Sequence, residues 1–224
     1  MPPLPPYDAL VPALRARLAA PLPGHDAHAV MAPFPSRATE ETLSIALNDG
    51  RPAATLVLLY PGAGGAASLV LTVRQAALKK HSGQVSLPGG SLDGDETPEA
   101  GARREAWEEV GVDPDAPDVL GRLTPIYIPP SRFSVWPVVA ALGERPPFRA
   151  QEAEVAALVE VPVAALLDPA LRKRSRRDAP LGTFDVPYFD LGGHEVWGAT
   201  AMMLAEFAAV LADAAGGAGL AATG

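Results

Sequence analysis

Three glutamates, Glu105, Glu108 and Glu109, are the residues of this chain whose spacing is best suited to chemistry. On a helix, residues three or four positions apart lie on the same face, so the three carboxylates would project together. Like charges at this spacing destabilise a helix by roughly 0.2–0.5 kcal/mol per pair. Only Arg104 is close enough in sequence to offset this repulsion with a positive charge. One interpretation is a solvated acidic face. The other is a site for a hard divalent cation such as Mg²⁺, which is held by carboxylates together with substrate phosphates.

The sequence around these glutamates predicts the helix that would hold them. Thr97 suits the capping position, Pro98 the first helical position and Gly111 the position just past the end. The predicted helix therefore runs over about 13 residues, from Pro98 to Val110. Its packing face consists of small apolar residues one turn apart, Ala102, Ala106 and Val110.

The residues around this helix follow a longer pattern. It reads glycine, five residues, glutamate, seven residues, Arg-Glu, an apolar residue, any residue, Glu-Glu, any residue, glycine and an apolar residue. The matching positions are Gly90, Glu96, Arg104, Glu105, Ala106, Glu108, Glu109, Gly111 and Val112. This pattern resembles the signature of the Nudix hydrolases, and every fixed position matches.

The resemblance implies a hydrolase that uses Mg²⁺ or Mn²⁺ and acts on a nucleoside diphosphate linked to another group. It implies that Glu105 and Glu109 are metal ligands, and that the backbone carbonyl near Gly90 completes the metal site. Glu108 would be a third ligand or a base, or would be held in place by Arg104. This chemistry fits a diphosphate substrate, because metal ions neutralise its oxygens and generate a nucleophile at neutral pH.

Three further acidic residues belong to this hypothesis. Glu96 is expected to tie the glycine-containing loop to the helix rather than to touch the substrate. Because some Nudix enzymes take their general base from outside the signature, Glu152 and Glu154 are candidates, and Glu154 is favoured. The alternative is that these two are exposed glutamates before a strand.

The residues just before the signature, from Leu69 to Gly90, resemble the upstream motif of the coenzyme A diphosphatases. The matching positions are Leu71, Thr72, Arg74, Leu78, His81, Gly83, Gln84, Val85, Pro88, Gly89 and Gly90. Three positions depart from the motif, because Gln75 replaces serine, Lys79 replaces arginine and Leu87 replaces phenylalanine. Lysine keeps the charge but loses the bidentate fork of arginine, which weakens the expectation of a phosphate clamp at position 79.

Coenzyme A carries a diphosphate and a 3′-phosphate, so an enzyme for it needs cationic side chains besides its metals. Arg74, Lys79 and Lys80 are the candidate substrate-binding residues, and surface positions are their alternative interpretation. A second basic run, from Arg172 to Arg177, is interpreted as a solvated loop, or as a mobile flap that meets the 3′-phosphate or the acidic nucleotide.

The order of predicted elements indicates an α/β fold. Apolar strands alternate with helices, and strands are expected over 51–60, 68–74, 84–87, 119–128, 133–142 and 154–160. A helical turn is expected at Val163 to Leu167, and a hairpin over 182–197 with its turn at Gly192-Gly193. A loop is expected over about 21–40, and the last helix is expected to start near Thr200. The Nudix resemblance implies an α/β/α sandwich around a mixed sheet. Residues 1–215 are expected to form one such domain with an N-terminal helical extension, followed by a flexible tail over 216–224.

Composition excludes several classes of protein and site. The chain has 224 residues and no cysteine, so disulfides, thiolate metal sites and cysteine nucleophiles are excluded. A net charge of −8 argues against general nucleic-acid binding. The Pro-rich N-terminus is not typical of a signal peptide, and no apolar stretch is long enough to span a membrane. A cytoplasmic protein that acts on a small molecule, as a monomer or homodimer, is expected.

The sequence therefore predicts a Mg²⁺-dependent diphosphatase that cleaves coenzyme A to 3′,5′-ADP and 4′-phosphopantetheine, with acylated and oxidised coenzyme A as further candidate substrates. The alternative within the enzyme class is a Nudix pyrophosphatase for ADP-ribose or NADH. The alternative from another class is a non-catalytic nucleotide sensor. Such a sensor would be expected to lose the signature glutamates, and here they are intact.

Overall fold

A computed structural model of the chain describes residues 3–33, 40–75, 83–179 and 182–216. The predicted phosphate-binding residues Lys79 and Lys80 lie outside these ranges, and so does the predicted tail after Gly216. Within the described residues, no helix is both long and apolar enough to cross a membrane.

The main sheet is mixed and holds the strands that position the acidic helix. Its central order is β3-β2-β1-β7-β5, with β4 paired to β1, β6 to β7 and β8 to β2. The pairing of β1 with β7 is parallel, and the other pairings in this sheet are antiparallel. The strands are β1 (Arg51–Pro61), β2 (Ala67–Arg74), β3 (Val85–Ser86), β4 (Gly89–Ser91), β5 (Asp118–Arg122), β6 (Ile126–Ile128), β7 (Phe133–Ala141) and β8 (Val155–Pro162).

Helices cover both faces of this sheet. They are α1 (Tyr7–Leu18), α2 (Gly24–Ala29), α3 (Glu40–Asp49), α4 (Pro98–Val110) and α5 (Gly198–Ala214). Side chains of β1 alternate between the two sides, so that Val57 and Leu59 join the core under α1 and α5. Leu56 and Leu58 join the core under α4. The predicted α/β/α sandwich around a mixed sheet is confirmed.

A smaller antiparallel sheet follows the main one in sequence. Its strands, in the order β11-β10-β9, are β9 (Arg172–Ala179), β10 (Gly182–Leu191) and β11 (His194–Trp197). The predicted hairpin with a turn at Gly192-Gly193 is confirmed. The prediction of a loop over 172–177 was wrong, because these residues form β9 and pair with β10.

The structure corrects two other sequence predictions. The strand predicted over 119–128 is divided into β5 and β6. The loop predicted over about 21–40 contains α2 and reaches the first residue of α3. The helical turn expected at Val163–Leu167 is present as a 3₁₀ helix.

A buried glutamate, Glu206, ties together the α5 side of the sheet. Its side chain is 0% exposed. One carboxylate oxygen accepts hydrogen bonds from Gly24 N at 2.9 Å and Thr124 Oγ1 at 2.6 Å. The other accepts from His28 Nε2 at 2.9 Å and Thr124 N at 3.0 Å. Burial raises the pKa of Glu206, but the hydrogen bonds from His28 and Thr124 outweigh this effect. The pKa of Glu206 therefore lies below its ordinary value.

Candidate active site

Helix α4 presents its carboxylates to the sheet because capping and packing fix its position. Thr97 Oγ1 accepts a hydrogen bond from Ala100 N at 3.2 Å, and the helix begins at Pro98 and ends at Val110, as the sequence predicts. Ala102, Ala106 and Val110 are fully buried against the sheet. The acidic residues Glu105 and Glu109 are thereby directed towards β4.

The glycine pair in β4 allows the backbone to approach these carboxylates closely. A Cβ atom at Gly90 would lie 2.4–2.6 Å from the carboxyl atoms of Glu105. A Cβ atom at Gly89 would lie 2.3 Å from the carbonyl oxygen of Ala54 on β1. Gly89 N donates a hydrogen bond to Glu109 Oε2 at 3.2 Å. The loop backbone therefore lies directly against the carboxylates of Glu105 and Glu109. A side chain at position 89 or 90 would prevent this close approach.

This cluster concentrates negative charge in a poorly solvated place. Glu109 is 7% exposed, and its burial raises its pKa to about 7 despite the hydrogen bond from Gly89. The charges of Glu105 and Glu154 raise the pKa of Glu109 further, and that of Arg74 lowers it. Burial also raises the pKa of Glu105, against the lowering effect of Arg104. Carboxylates crowded in this way are stabilised by a bound cation.

Arg104 connects the glycine-containing loop to the helix. Its Nε and Nη2 donate to the two carboxylate oxygens of Glu96, each at 3.1 Å, and Nη2 also donates to the Ser91 carbonyl at 2.8 Å. Its Nη1 donates to Glu105 at 2.9 Å and to Glu108 at 3.2 Å. The hydrogen bonds from Arg104 lower the pKa of Glu96. Glu96 thus joins loop to helix, as the sequence predicts, and Glu108 is turned towards Arg104.

Replacing Arg104 with lysine is expected to lower the affinity for Mn²⁺ by about 10- to 100-fold, because residues that orient ligands typically have effects of that size. Lysine cannot reproduce the fork that holds Glu96, Ser91 and Glu105 together. Isothermal titration with Mn²⁺ would measure the change. Arg103→Lys is the matched control, because Arg103 donates to the Pro117 carbonyl instead. Equal affinities in both variants would contradict this positioning role.

The donors present suit a partly substrate-ligated cation rather than an all-protein cage. Among the residues that the structure describes, no group of three His, Asp or Glu side chains is arranged to hold a metal ion. The reason is visible at Glu108, whose carboxylate is half exposed and paired with Arg104. Two carboxylates and a carbonyl remain, and Mg²⁺ is commonly bound by one or two carboxylates plus substrate phosphates.

A basic side chain from β2 faces the same cluster. The register between β2 and β8 shifts between Val73 and Arg74, and such irregularities re-aim side chains next to functional sites. The positive charge of Arg74 lowers the pKa of Glu109. Its Nε atom is buried and has no hydrogen-bond partner among the described residues. A buried donor of this kind is available for an anionic ligand.

The segment that carries Glu154 is fastened to the end of α4 and to β2. Arg149 N and Gln151 N donate to the carbonyls of Val110 and Glu109, at 2.9 and 3.0 Å. Gln75 N donates to the Glu154 carbonyl at 2.8 Å. The Glu154 charge raises the pKa of both Glu105 and Glu109, so its carboxylate lies within electrostatic range of the cluster.

One residue of this arrangement was missed at the level of sequence. Gln75 Nε2 donates to the Glu152 carbonyl at 3.0 Å, so this side chain fastens the loop before β8. The sequence showed Gln75 only as a departure from the upstream motif. The only signal in the sequence was that Gln75 directly follows Arg74. Its partner Glu152 lies 77 residues away, so the sequence does not indicate this contact.

Comparisons with known proteins agree with this geometry. Residues 50–181 match the family model of the NUDIX domain. The chain is 39% identical over 147 residues to the uncharacterized Nudix hydrolase NudL of Cronobacter sakazakii, covering 62% of this chain and 73% of that protein. It is 33% identical over 165 residues to Nudix hydrolase 15, mitochondrial, of Arabidopsis thaliana, covering 70% of this chain. The chain spans 58% of that plant relative.

A similar solved structure is the Nudix hydrolase RenU of M. Smegmatis, with a TM-score of 0.45 and 30% identity. The similarity covers 53% of this chain and 74% of that one. The family model extends over more than half of the chain and contains α4, β4 and Arg74. The protein therefore belongs to the NUDIX family, as a Nudix hydrolase of the class that acts on phosphorus-containing anhydrides.

Proposed function

We propose that the protein is a cytoplasmic, Mg²⁺-dependent coenzyme A diphosphatase that releases 3′,5′-ADP and 4′-phosphopantetheine. The observation that carries the proposal is the position of the upstream motif around the carboxylate cluster. Arg74, at the end of β2, keeps a buried donor without a partner among the described residues, and Gly89 and Gly90 lie against Glu109 and Glu105. The motif that resembles coenzyme A diphosphatases thus contributes a cation and a close backbone approach to the same carboxylate cluster, which supports the proposal.

The metal ligands in this proposal are Glu105, Glu109 and the backbone carbonyl of Gly90. Nudix hydrolases generally use divalent ions such as Mg²⁺. A bound ion supplies charge neutralisation of the diphosphate and activation of the attacking water. Glu108 acts as a third ligand or base in the sequence-based hypothesis, and its hydrogen bond to Arg104 supports a role in positioning.

The substrate diphosphate is bound in this proposal by Arg74, whose unpartnered Nε favours an anion. Lys79 and Lys80 remain predicted contributors from the neighbouring segment, outside the described residues. Acting together with the metal, these cations would balance the charge of the diphosphate. Without such neutralisation, the substrate repels the nucleophile.

Glu154 is proposed as the general base, and replacing it with glutamine is expected to lower kcat by about 10²-fold, within the usual contribution of general-base catalysis. The influence of its charge on both Glu105 and Glu109 supports this choice. Single-turnover hydrolysis would measure the loss, and Glu152→Gln is the matched control on the same loop. Equal losses in the two variants would remove Glu154 from this role.

The experiment that tests the proposed function is product analysis of the purified protein with coenzyme A, ADP-ribose and NADH, each with Mg²⁺. Selective release of 4′-phosphopantetheine would support the proposal. Equal or faster cleavage of ADP-ribose would keep the hydrolase but overturn the coenzyme A assignment. Absence of turnover with all three would favour a nucleotide-binding protein without catalysis.

A further inference from the structure

A cleft of about 300 Å³ lies between the small sheet and the edge of the main sheet. One wall is the backbone around Gly83 and Val85, directly before and within β3. The other wall comes from β9 and β11, through the residues Arg177, His194, Glu195 and Trp197. Its volume is at the lower end of the range for small-molecule sites, and its lining is mostly polar.

Arg177 and Trp197 form a stacked pair in this cleft. The Arg177 guanidinium lies over the Trp197 ring, 4.3 Å from its centroid. The Nε atom of Arg177 is buried and lacks a hydrogen-bond partner among the described residues. A planar cation held over an indole presents both a donor for phosphate oxygens and a flat surface for a purine base.

The present partner of Arg177 is replaceable. Its Nη2 pairs with Glu195, whose side chain is 48% exposed. Exposed ion pairs contribute little to stability, so a phosphate can displace this carboxylate at small cost. The imidazole of His194 lines the same cleft and provides a second polar group for an anion.

The cleft is joined to the candidate active site by a short, direct path along the chain. Val85 lines the cleft, and Gly89, four residues later, donates to Glu109. Four extended residues span at most about 14 Å. A substrate whose diphosphate lies at Glu105 and Glu109 therefore has one end within reach of Arg177.

We propose that this cleft binds the adenosine 3′-phosphate end of the substrate. The 3′-phosphate replaces Glu195 as the partner of Arg177, and the purine packs against the Arg177–Trp197 pair. The pantetheine end is uncharged and would leave the arginine without an anion, so the polar lining favours the nucleotide end. This subsite rests on the proposed function, because it assigns one end of coenzyme A to a surface beside the site of hydrolysis.

Steady-state kinetics with coenzyme A and with 3′-dephospho-coenzyme A test the subsite. Arg177→Gln is expected to lower kcat/KM for coenzyme A by about tenfold or more, because charge-assisted bonds to phosphate are strong. The loss for 3′-dephospho-coenzyme A is expected to be smaller, because this substrate keeps the purine but lacks the 3′-phosphate. Glu195→Gln is expected to have the opposite sign and lower KM for coenzyme A, because it removes the competing carboxylate. Arg176→Gln is the matched control, since adjacent residues of a strand point to opposite faces and Arg176 is exposed.

A binding measurement separates failure of the subsite from failure of the proposed function. Calorimetry with adenosine 3′,5′-bisphosphate and with 5′-AMP needs no turnover. Tighter binding of the bisphosphate that is lost in Arg177→Gln supports the subsite, even in a protein that does not hydrolyse coenzyme A. Hydrolysis of coenzyme A with equal effects of Arg177→Gln on both substrates would overturn the subsite and leave the diphosphatase assignment intact.

Discussion

Glu109→Gln is expected to lower kcat by about 10³-fold or more, because a metal ligand supports several kcal/mol of transition-state stabilisation. Glu109 is the most buried of the signature carboxylates, and its oxygen is held by Gly89 N. Glutamine has nearly the same shape but a neutral side chain with one acceptor oxygen. The measurement is kcat with Mg²⁺ and the proposed substrate, accompanied by Mn²⁺ titration of both proteins.

The control for this variant is Glu99→Gln, which changes a carboxylate in the first turn of the same helix. Glu99 pairs with Arg122 at the surface, at 3.2 Å, so its replacement should leave kcat within about twofold. The melting temperature of metal-free Glu109→Gln should equal or exceed that of the parent protein, because a buried negative charge near Glu105 and Glu154 is removed. A folded Glu109→Gln protein with parental kcat would remove Glu109 from the metal site.

Glu206→Ala is expected to lower the free energy of unfolding by about 3–5 kcal/mol, because each buried donor left without a partner costs about 1–3 kcal/mol. The substitution leaves the donors from Gly24, His28 and Thr124 without their acceptor. For a chain of this size the melting temperature should fall by about 10 °C. Thermal and urea unfolding, followed by circular dichroism, would measure both quantities.

Asp213→Ala is the matched control for Glu206→Ala, because Asp213 lies on the same helix and pairs with the partly exposed Arg17. Its expected cost is about 1 kcal/mol or less. Below their melting temperatures, both variants should keep the parental kcat, since α5 and α4 lie on opposite sides of the sheet. A stability loss no larger for Glu206→Ala than for Asp213→Ala would contradict the importance of this network.

The effect of Glu206 also has a defined pH dependence. The pKa of Glu206 is lower in the folded protein than in the unfolded chain. The ionised carboxylate therefore stabilises the folded state at pH values above the ordinary pKa of a glutamate. That stabilisation is lost as the pH falls through the folded-state pKa. The difference in stability between the parent and Glu206→Gln should therefore shrink below about pH 4.

The parts of the structure that the sequence predicted well depend on local signals. Helix α4 has its start and end where Thr97, Pro98 and Gly111 placed them, because capping acts between neighbouring residues. The hairpin of β10 and β11 turns at Gly192-Gly193 for the same reason. The carboxylates of the candidate site were found because the signature keeps them within one stretch of chain.

The parts that the sequence did not predict depend on distant partners. The basic run from Arg172 to Arg177 resembled a loop because its acidic partners, Asp190 and Glu195, lie on the other strands of the small sheet. The break between β5 and β6 occurs around Thr124, whose N–H and hydroxyl bind Glu206 rather than a neighbouring strand. Helix α2 lacks a strong periodic pattern, and it contributes Gly24 and His28 to the same buried carboxylate.

The choice between Glu152 and Glu154 shows the same limit of local reasoning. Both precede β8 at nearly the same position in sequence. The loop that carries both is held by Gln75 and by the end of α4, which are distant in sequence, and the Glu154 charge acts on Glu109 across this fold. Spacing along the chain carries no information about such contacts.

The parallel pairing of β1 with β7 has a consequence for how the chain is made. β1 is an apolar strand, and its partner on this side is synthesised roughly 80 residues later, since Arg51 pairs with Phe133 and Leu59 with Ala141. Until the ribosome has delivered β7, this side of β1 has no strand beside it. Unpaired apolar edges of nascent chains are prone to associate with one another. We therefore expect the yield of folded protein to depend on the interval between translation of β1 and translation of β7, and to rise when chaperones or lower temperature protect the chain during that interval.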